Sequence, residues 1–389
     1  MTRAAAIPLI EISGPPLERG RQHGEAARTQ IRTAIEFYRE SFERTAGLRW
    51  PDVQERVHRW VPLIESYLPG ISDEVRGIAE GSGFRFEEIL ALNGRGEFTA
   101  GDPFVNLDES RDGCTSYFIS DEASGDGHVY AGQNWDWRSG INETVIMLRV
   151  EQPPKPTIVM QVEAGQVGRH GANSAGIALN ANGLGGRFGN KLGIPQPYIR
   201  RKILNAVTLH DALEAVFKST QSICTNLLIS HRDGEAFDIE TTPGRHGWLE
   251  PENGTIVHAN HFMAFVPEQL ADSYRPFSPD SLYRVTRVRK AFRALSTART
   301  PEAMRNLIAG ALRDHFGYPD SVCNHADPNR HELDRTETVA SSIVDLTTGD
   351  YHLAFGLPCE HEYERLPWNL YAGAASSAEA TERTLATVP

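Results

Sequence analysis

The sequence changes period at residue 114. Upstream, from about residue 16 to 100, apolar side chains recur at three- and four-residue steps. In "ERGRQHGEAARTQIRTAIEFYRESFERTAG", Ile31, Ile35, Tyr38 and Phe42 share one helical face. Downstream, "TSYFIS", "HVYAGQN", "TVIMLRV" and "TIVMQV" are short β-rich runs parted by turn clusters such as "DEASGDG". The switch falls at the Gly113–Cys114 bond inside "SRDGCTSYFIS". A helical block that ends where short strands begin predicts a fold in which helices cover sheets.

Local signals fill in the elements. "WPDVQERVHRWVPLIESYLPG" has Pro51 near its first turn and stops at Pro69-Gly70. Ser72 is placed to cap "DEVRGIAEG", and "RFEEILALN" supplies another short helix. Helical pairs are expected at about 196–219 and, further on, at about 278–296 with 301–315. Hairpins are expected at "TNLLISHRDGEAFDIE", turning at Asp233-Gly234, and at "SSIVDLTTGDYHLAF". Strand groups interleaved with helix pairs predict a layered α+β protein with antiparallel sheets under helices. No internal repeat is visible, and the small, polar tail after about Gly373 is expected to fray.

Charge and cysteine usage exclude several function classes. The formal net charge is -12, which disfavours phosphate backbones and anionic membranes as partners. No apolar run approaches the roughly 18 residues of a membrane span, and no targeting signal is evident at either end. Cys114, Cys224, Cys323 and Cys359 lie far apart without a CxxC pair, which fits a reducing, cytoplasmic setting.

Cys114 admits two readings. A buried cysteine is ordinarily packing. Here, however, Asp112-Gly113 is a turn sequence, Gly113 leaves its carbonyl sterically open, and Thr115 and Ser116 place hydroxyls beside the thiol. Attack of the thiol on the preceding carbonyl would exchange the Gly113–Cys114 amide for a thioester that water cleaves. The freed α-amine, with a reference pKa of about 8, would then serve as base for its own thiol. "AGQNWDW" adds an amide, an indole and a carboxylate at an expected strand end, Gln133, Asn134, Trp135 and Asp136. It reads either as a capped turn or as a site in which Asp136 orients the new ammonium.

"IVHANHF" carries His258, Asn260 and His261. Strand alternation would put His258 and Asn260 on one face with His261 opposite, so a metal is not expected there and Asn260 is a candidate oxyanion donor. Without HExxH or Cys/His pairing, no metal site or cofactor is expected. Cys224, Cys323 and Cys359 are assigned to packing. The Gly-rich "NGLGGRFGN" is followed by Pro195 and Pro197 and reads as a loop near the cleft.

These motifs resemble, in one order along nearly the whole chain, the acyl-coenzyme A:6-aminopenicillanic acid (isopenicillin N) acyltransferase family of self-processing cysteine N-terminal nucleophile hydrolases. The resemblance rests on "ERGRQHGEAA", "EVRGIAEG", "LNGRGEF", "RDGCTS", "GQNWDW", "EAGQVGRHGANSAGIALN", "VHANHF" and "SSIVDLTTGDYHLAFGLPC". It implies a four-layer αββα sandwich. It also implies a helical chain, residues 1–113, cut from a chain 114–389 that begins with the nucleophile, the two staying together.

By resemblance, Cys114 is the nucleophile, Asp136 the acid near its amine and Asn260 the oxyanion asparagine. Arg335 is the arginine near the site, and Thr242 stands where the penicillin enzyme has a functional serine. Asp334 replaces a serine of the fungal enzyme, a departure that bears on local hydrogen bonding and substrate. The implied partner is a small amide or acyl thioester, with a homo-oligomer possible. The open alternatives are a small-amide hydrolase, a dedicated coenzyme A-dependent N-acyltransferase, a β-alanyl-amine hydrolase, or an uncleaved binding protein.

Overall fold

The computed structural model describes residues 7–100, 113–186, 188, 192–272, 274–276 and 278–372 of the 389-residue chain. Residues 1–6 and 101–112, with Asp112 of the expected turn, part of the Gly-rich loop and the tail after Ala372 lie outside the described residues. Two sheets carry the fold. The first has eight strands in spatial order β1 (Leu9–Ser13), β4 (Val145–Glu151), β5 (Ile158–Glu163), β6 (His170–Asn173), β7 (Ile177–Gly183), β8 (Thr225–His231), β9 (Ala236–Thr241) and β10 (Gly247–Leu249). The second has six: β11 (Thr255–His258), β2 (Thr115–Ile119), β3 (Tyr130–Arg138), β12 (Thr336–Asp345), β13 (Asp350–Phe355) and β14 (Glu364–Asn369). β1 runs parallel to β4, and the other paired neighbours run antiparallel.

The sheets face each other through polar side chains. Gln133 on β3 accepts from the Ala181 N–H of β7 at 3.0 Å, and Asn182 donates to Ser116 of β2 at 3.0 Å. Helices cover both outer faces. On the first sheet, Asn173 donates to the Leu204 and Ala206 carbonyls at the end of α8 (Gln196–Leu204), beside α9 (Leu209–Phe217). On the second, Asn134 donates to the Leu312 carbonyl of α11 (Pro301–Leu312), beside α10 (Asp280–Phe292). The architecture is therefore a mixed α+β sandwich of four layers, with a helical N-terminal segment added.

That segment comprises α1 (Pro16–Ala26), α2 (Arg28–Ala46), α3 (Trp50–Arg56), α4 (Val61–Tyr67), α5 (Ile71–Ser82), α6 (Phe86–Asn93) and α7 (Arg95–Ala100). The helical motifs "ERGRQHGEAA" and "EVRGIAEG" meet as α1 and α5. Gly20 and Gly24 face Gly77 and Gly81 so closely that a Cβ on Gly77 would lie 2.1 Å from the Leu17 carbonyl. Glycines four residues apart on each helix thus let two backbones touch. Glu74 of α5 is fully buried between Arg19 (2.7 Å) and Arg201 of α8 (2.8 Å), tying this pair to the sheet-covering layer.

Three local expectations are corrected. Ser72 is not the cap of its helix: α5 starts at Ile71, and the Glu65 carboxylate accepts from Gly70 and Ser72 N–H instead. "AGQNWDW" is not a strand end, because β3 is paired on both sides and continues to Arg138. β11 stops at His258, so alternation does not extend to Asn260 and His261; the two imidazoles stack with centroids 6.3 Å apart.

Candidate active site

Cys114 directly precedes β2 and is 1% exposed. Its thiol donates to the Asp136 main-chain carbonyl at 3.5 Å, across the β2–β3 ladder. Gly113 lies against the Asp136 side chain: a Cβ there would sit 2.7 Å from Asp136 Oδ2. Only a glycine lets the backbone approach the carboxylate this closely. Asp136 is fully buried and is fixed from behind by the Thr338 hydroxyl, which donates to Oδ1 at 2.6 Å. Thr338 is its cross-strand partner on β12, beside a register shift between Thr338 and Ala340.

A guanidinium that sequence reasoning missed organises the site. Arg284 of α10 is fully buried. Its Nη1 donates to the Gly113 carbonyl, to the Cys114 carbonyl at 2.7 Å and to the Thr115 hydroxyl at 2.9 Å. Its Nη2 donates to Asn260 Oδ1 at 2.9 Å, and its Nε to Asp280 at 2.7 Å. Burial would raise the Asp280 pKa, but the Arg284 charge and the Ser278 hydroxyl hold it below its ordinary value. Asn260 is also fixed by donating from Nδ2 to the Gly183 carbonyl at 3.0 Å. Arg284 thus joins Gly113, Cys114, Thr115 and Asn260.

On the inter-sheet side lies a buried charged cluster. Arg169 covers the Trp135 indole at 4.0 Å, and Trp135 meets His170 edge-on with centroids 5.8 Å apart. Burial and the Arg95 charge pull the Arg169 pKa down to about 9, Glu163 and Arg200 act in opposite senses, and Cys114 lies near enough to raise it. Arg95 pairs with Glu163, which also accepts from Tyr38 at 2.5 Å. Burial raises Glu97 to about 7, against its bond from the Gln196 N–H and the charges of Arg200 and Arg95.

Not every candidate from the sequence joins this centre. Asn134 faces the helical layer, donating to the Leu312 and Val322 carbonyls and accepting from Ser341. Thr242 closes its own turn, donating to the Arg245 carbonyl at 2.6 Å. Arg335 donates to the Arg330 and Pro328 carbonyls, at 3.1 and 3.2 Å. Its neighbour Asp334 pairs with Arg44 and Arg138. His258 bridges the sheets to Glu240 at 2.9 Å; burial lowers its pKa, but Asp238 and Glu240 more than offset this.

The sequence model of the family described as acyl-coenzyme A:6-aminopenicillanic acid acyl-transferase matches residues 123–359. A curated relative from Emericella nidulans, "Acyl-coenzyme A:6-aminopenicillanic-acid-acyltransferase 40 kDa form", is 30% identical over 315 residues, 81% of this chain and 84% of the relative. Among solved structures, penicillin V acylase from Agrobacterium tumefaciens matches with a TM-score of 0.40 and 15% identity, over 62% of this chain and 82% of that one. A variant of conjugated bile acid hydrolase from Clostridium perfringens matches with a TM-score of 0.45 and 12% identity, over 66% and 97%. By its family match and its identity to the curated relative, the chain belongs to the acyl-coenzyme A:6-aminopenicillanic acid acyl-transferase family.

Proposed function

We propose that the chain is an acyl-transfer enzyme that first cuts its own Gly113–Cys114 bond and then uses Cys114 as an N-terminal nucleophile on small N-acyl amides. The observation that carries this reading is the buried Arg284 guanidinium donating to the Gly113 carbonyl. When the Cys114 sulfur adds to that carbonyl carbon, the oxygen gains negative charge, and a cation already bonded to it stabilises the charge. The C–N bond then breaks as the Cys114 nitrogen takes up a proton, leaving a thioester between Gly113 and Sγ. Water hydrolyses the thioester to a Gly113 carboxylate and a free thiol, with residues 1–113 and 114–389 remaining together.

In turnover, the new α-amine takes the thiol proton, and the thiolate attacks the substrate carbonyl. The Asn260 amide, with backbone N–H groups, stabilises the oxyanion. The amine returns its proton to the leaving amine, and the acyl group stays on sulfur until water or a second amine accepts it. Asp136, beside Gly113, orients the Cys114 ammonium.

Mass spectrometry of an active preparation tests the maturation: two pieces divided between Gly113 and Cys114 are expected, and a turnover-competent protein consisting of the intact 43.1 kDa chain overturns it. Cys114→Ala abolishes both cleavage and turnover while the chain stays folded, since thiol to methyl is a small change in volume. Thioester consumption with and without an acceptor amine separates transfer from hydrolysis.

A further inference from the structure

Four side chains outside the Cys114 site converge on the helical side of the second sheet. His315 follows the end of α11, Cys323 and His325 lie in the loop leading to β12, and Cys359 lies between β13 and β14. One ligand atom from each of the four lies within 4.8 Å of all the others. His325 Nε2 is 3.1 Å from His315 Nε2, 3.7 Å from Cys323 Sγ and 3.5 Å from Cys359 Sγ. A ring nitrogen has one in-plane position for one hydrogen-bond partner. One hydrogen bond accounts for one of these contacts, and the convergence of three potential metal ligands on the same nitrogen fits an ion they share.

We propose that His315, Cys323, His325 and Cys359 bind one zinc ion. Zinc holds thiolate sulfur at about 2.3 Å and imidazole nitrogen at about 2.0–2.1 Å, so tetrahedral ligand atoms stand about 3.3–3.8 Å apart. Two of the contacts to His325, at 3.5 and 3.7 Å, fall within that range, and the third, at 3.1 Å, lies just below it. Two thiolates and two imidazoles are the ligand set that selects zinc among abundant divalent ions, and four protein ligands close its coordination, as in a structural site. The thiols lose their protons on binding.

The protein builds the frame for this site independently. Arg313 at the end of α11 donates to the Pro358 carbonyl at 2.6 Å and to the His361 carbonyl at 3.3 Å, which clamps the Cys359 turn beside His315. The Cys323 N–H donates to the Asp314 carbonyl and the His325 N–H to the Pro319 carbonyl, both at 3.0 Å. Between the two loop ligands, Asn324 exchanges bonds with Thr338: its N–H donates to Thr338 Oγ1 at 3.0 Å, and its carbonyl accepts from the Thr338 N–H at 2.9 Å. Thr338 is the residue that fixes Asp136. The ion therefore braces the loop that positions the carboxylate beside Gly113. The ligand spacing contains no CxxC and spans 45 positions from His315 to Cys359, so the sequence pattern does not announce it.

The test is metal binding by the purified full-length protein. After loading with zinc and dialysis against metal-free buffer, elemental analysis should find about one zinc per chain. Cobalt substituted for zinc should give the intense visible bands of tetrahedral cobalt together with a thiolate-to-cobalt charge-transfer band. Cys323→Ser and Cys359→Ser should lose the bound metal, while Cys224→Ser should keep it. The wild-type cobalt spectrum decides the matter even if a ligand variant fails to fold. No retained metal, an octahedral cobalt spectrum, or a Cys323–Cys359 disulfide in a non-reducing peptide map overturns the proposal.

Discussion

Arg284 is the residue on which the proposed self-cleavage turns. Its guanidinium meets two consecutive carbonyls, a hydroxyl, an amide oxygen and a carboxylate, a set that one planar fork can reach at once. Lysine keeps the charge but offers a point donor on a flexible stem. Arg284→Lys should therefore slow cleavage at Gly113 by about 100-fold or more, the usual scale for losing an oxyanion donor. Gel time courses on a variant with native circular dichroism would measure this, and cleavage at the wild-type rate would move the oxyanion donor elsewhere.

The residue scale is also where the sequence was least complete. Gly113, Cys114, Thr115 and Asp136 are legible because a glycyl bond opens a strand and a carboxylate sits on its ladder neighbour. Arg284 lies 170 positions further on, in a helix rich in arginine. One signal was available: Arg284 falls on the stripe of Ser281, Val285, Val288 and Phe292, so it is an arginine on an apolar face. Arg335, taken from resemblance, instead braces its own loop in the intact chain.

At the scale of elements, periodicity located helices and most strands but not their pairing. β1 is a short edge strand whose partner, β4, lies more than 130 residues away in sequence. β3 runs longer than its turn-like residues suggest because two neighbours supply its ladder. The α1–α5 contact shows what local motifs leave out. Its glycines look unfavourable for helices when read singly, and they make sense only as a facing pair. Gly77→Ala should separate the two backbones and destabilise the uncleaved chain by about 1–3 kcal/mol or more, since the new methyl meets backbone rather than a side chain that can turn away. Denaturant unfolding of the variant in a Cys114→Ala background would measure it, and an unchanged midpoint would mean that the helices can shift at no cost.

At the scale of the whole molecule, the N-terminal segment completes the layers that follow it. Asn93 donates to the Gly165 carbonyl at 2.8 Å and accepts from the Val167 N–H at 2.9 Å, and the Gly165 N–H donates to His23 at 3.0 Å. Burial lowers His23 to about 4, so near neutral pH it is an uncharged acceptor. Pulling the segment away would leave these buried groups without partners, and would take Tyr38 and Arg95 from Glu163 and Glu74 from Arg201. In the proposed mature form the two pieces should co-elute at native pH and separate only in denaturant.

The pairing of β1 with β4 has a consequence for the lifetime of such an enzyme. While the bond at Gly113 is intact, that pairing closes within one molecule and its rate is independent of concentration. Once the bond is cut, the same pairing becomes an encounter between two molecules, governed by mass action. Refolding yield of the cleaved protein should fall on dilution, whereas that of Cys114→Ala should not, and equal yields at every concentration would contradict this. Under the proposed maturation the strand is threaded once, and what persists afterwards is set by how slowly the assembled form opens rather than by how readily it can be made again.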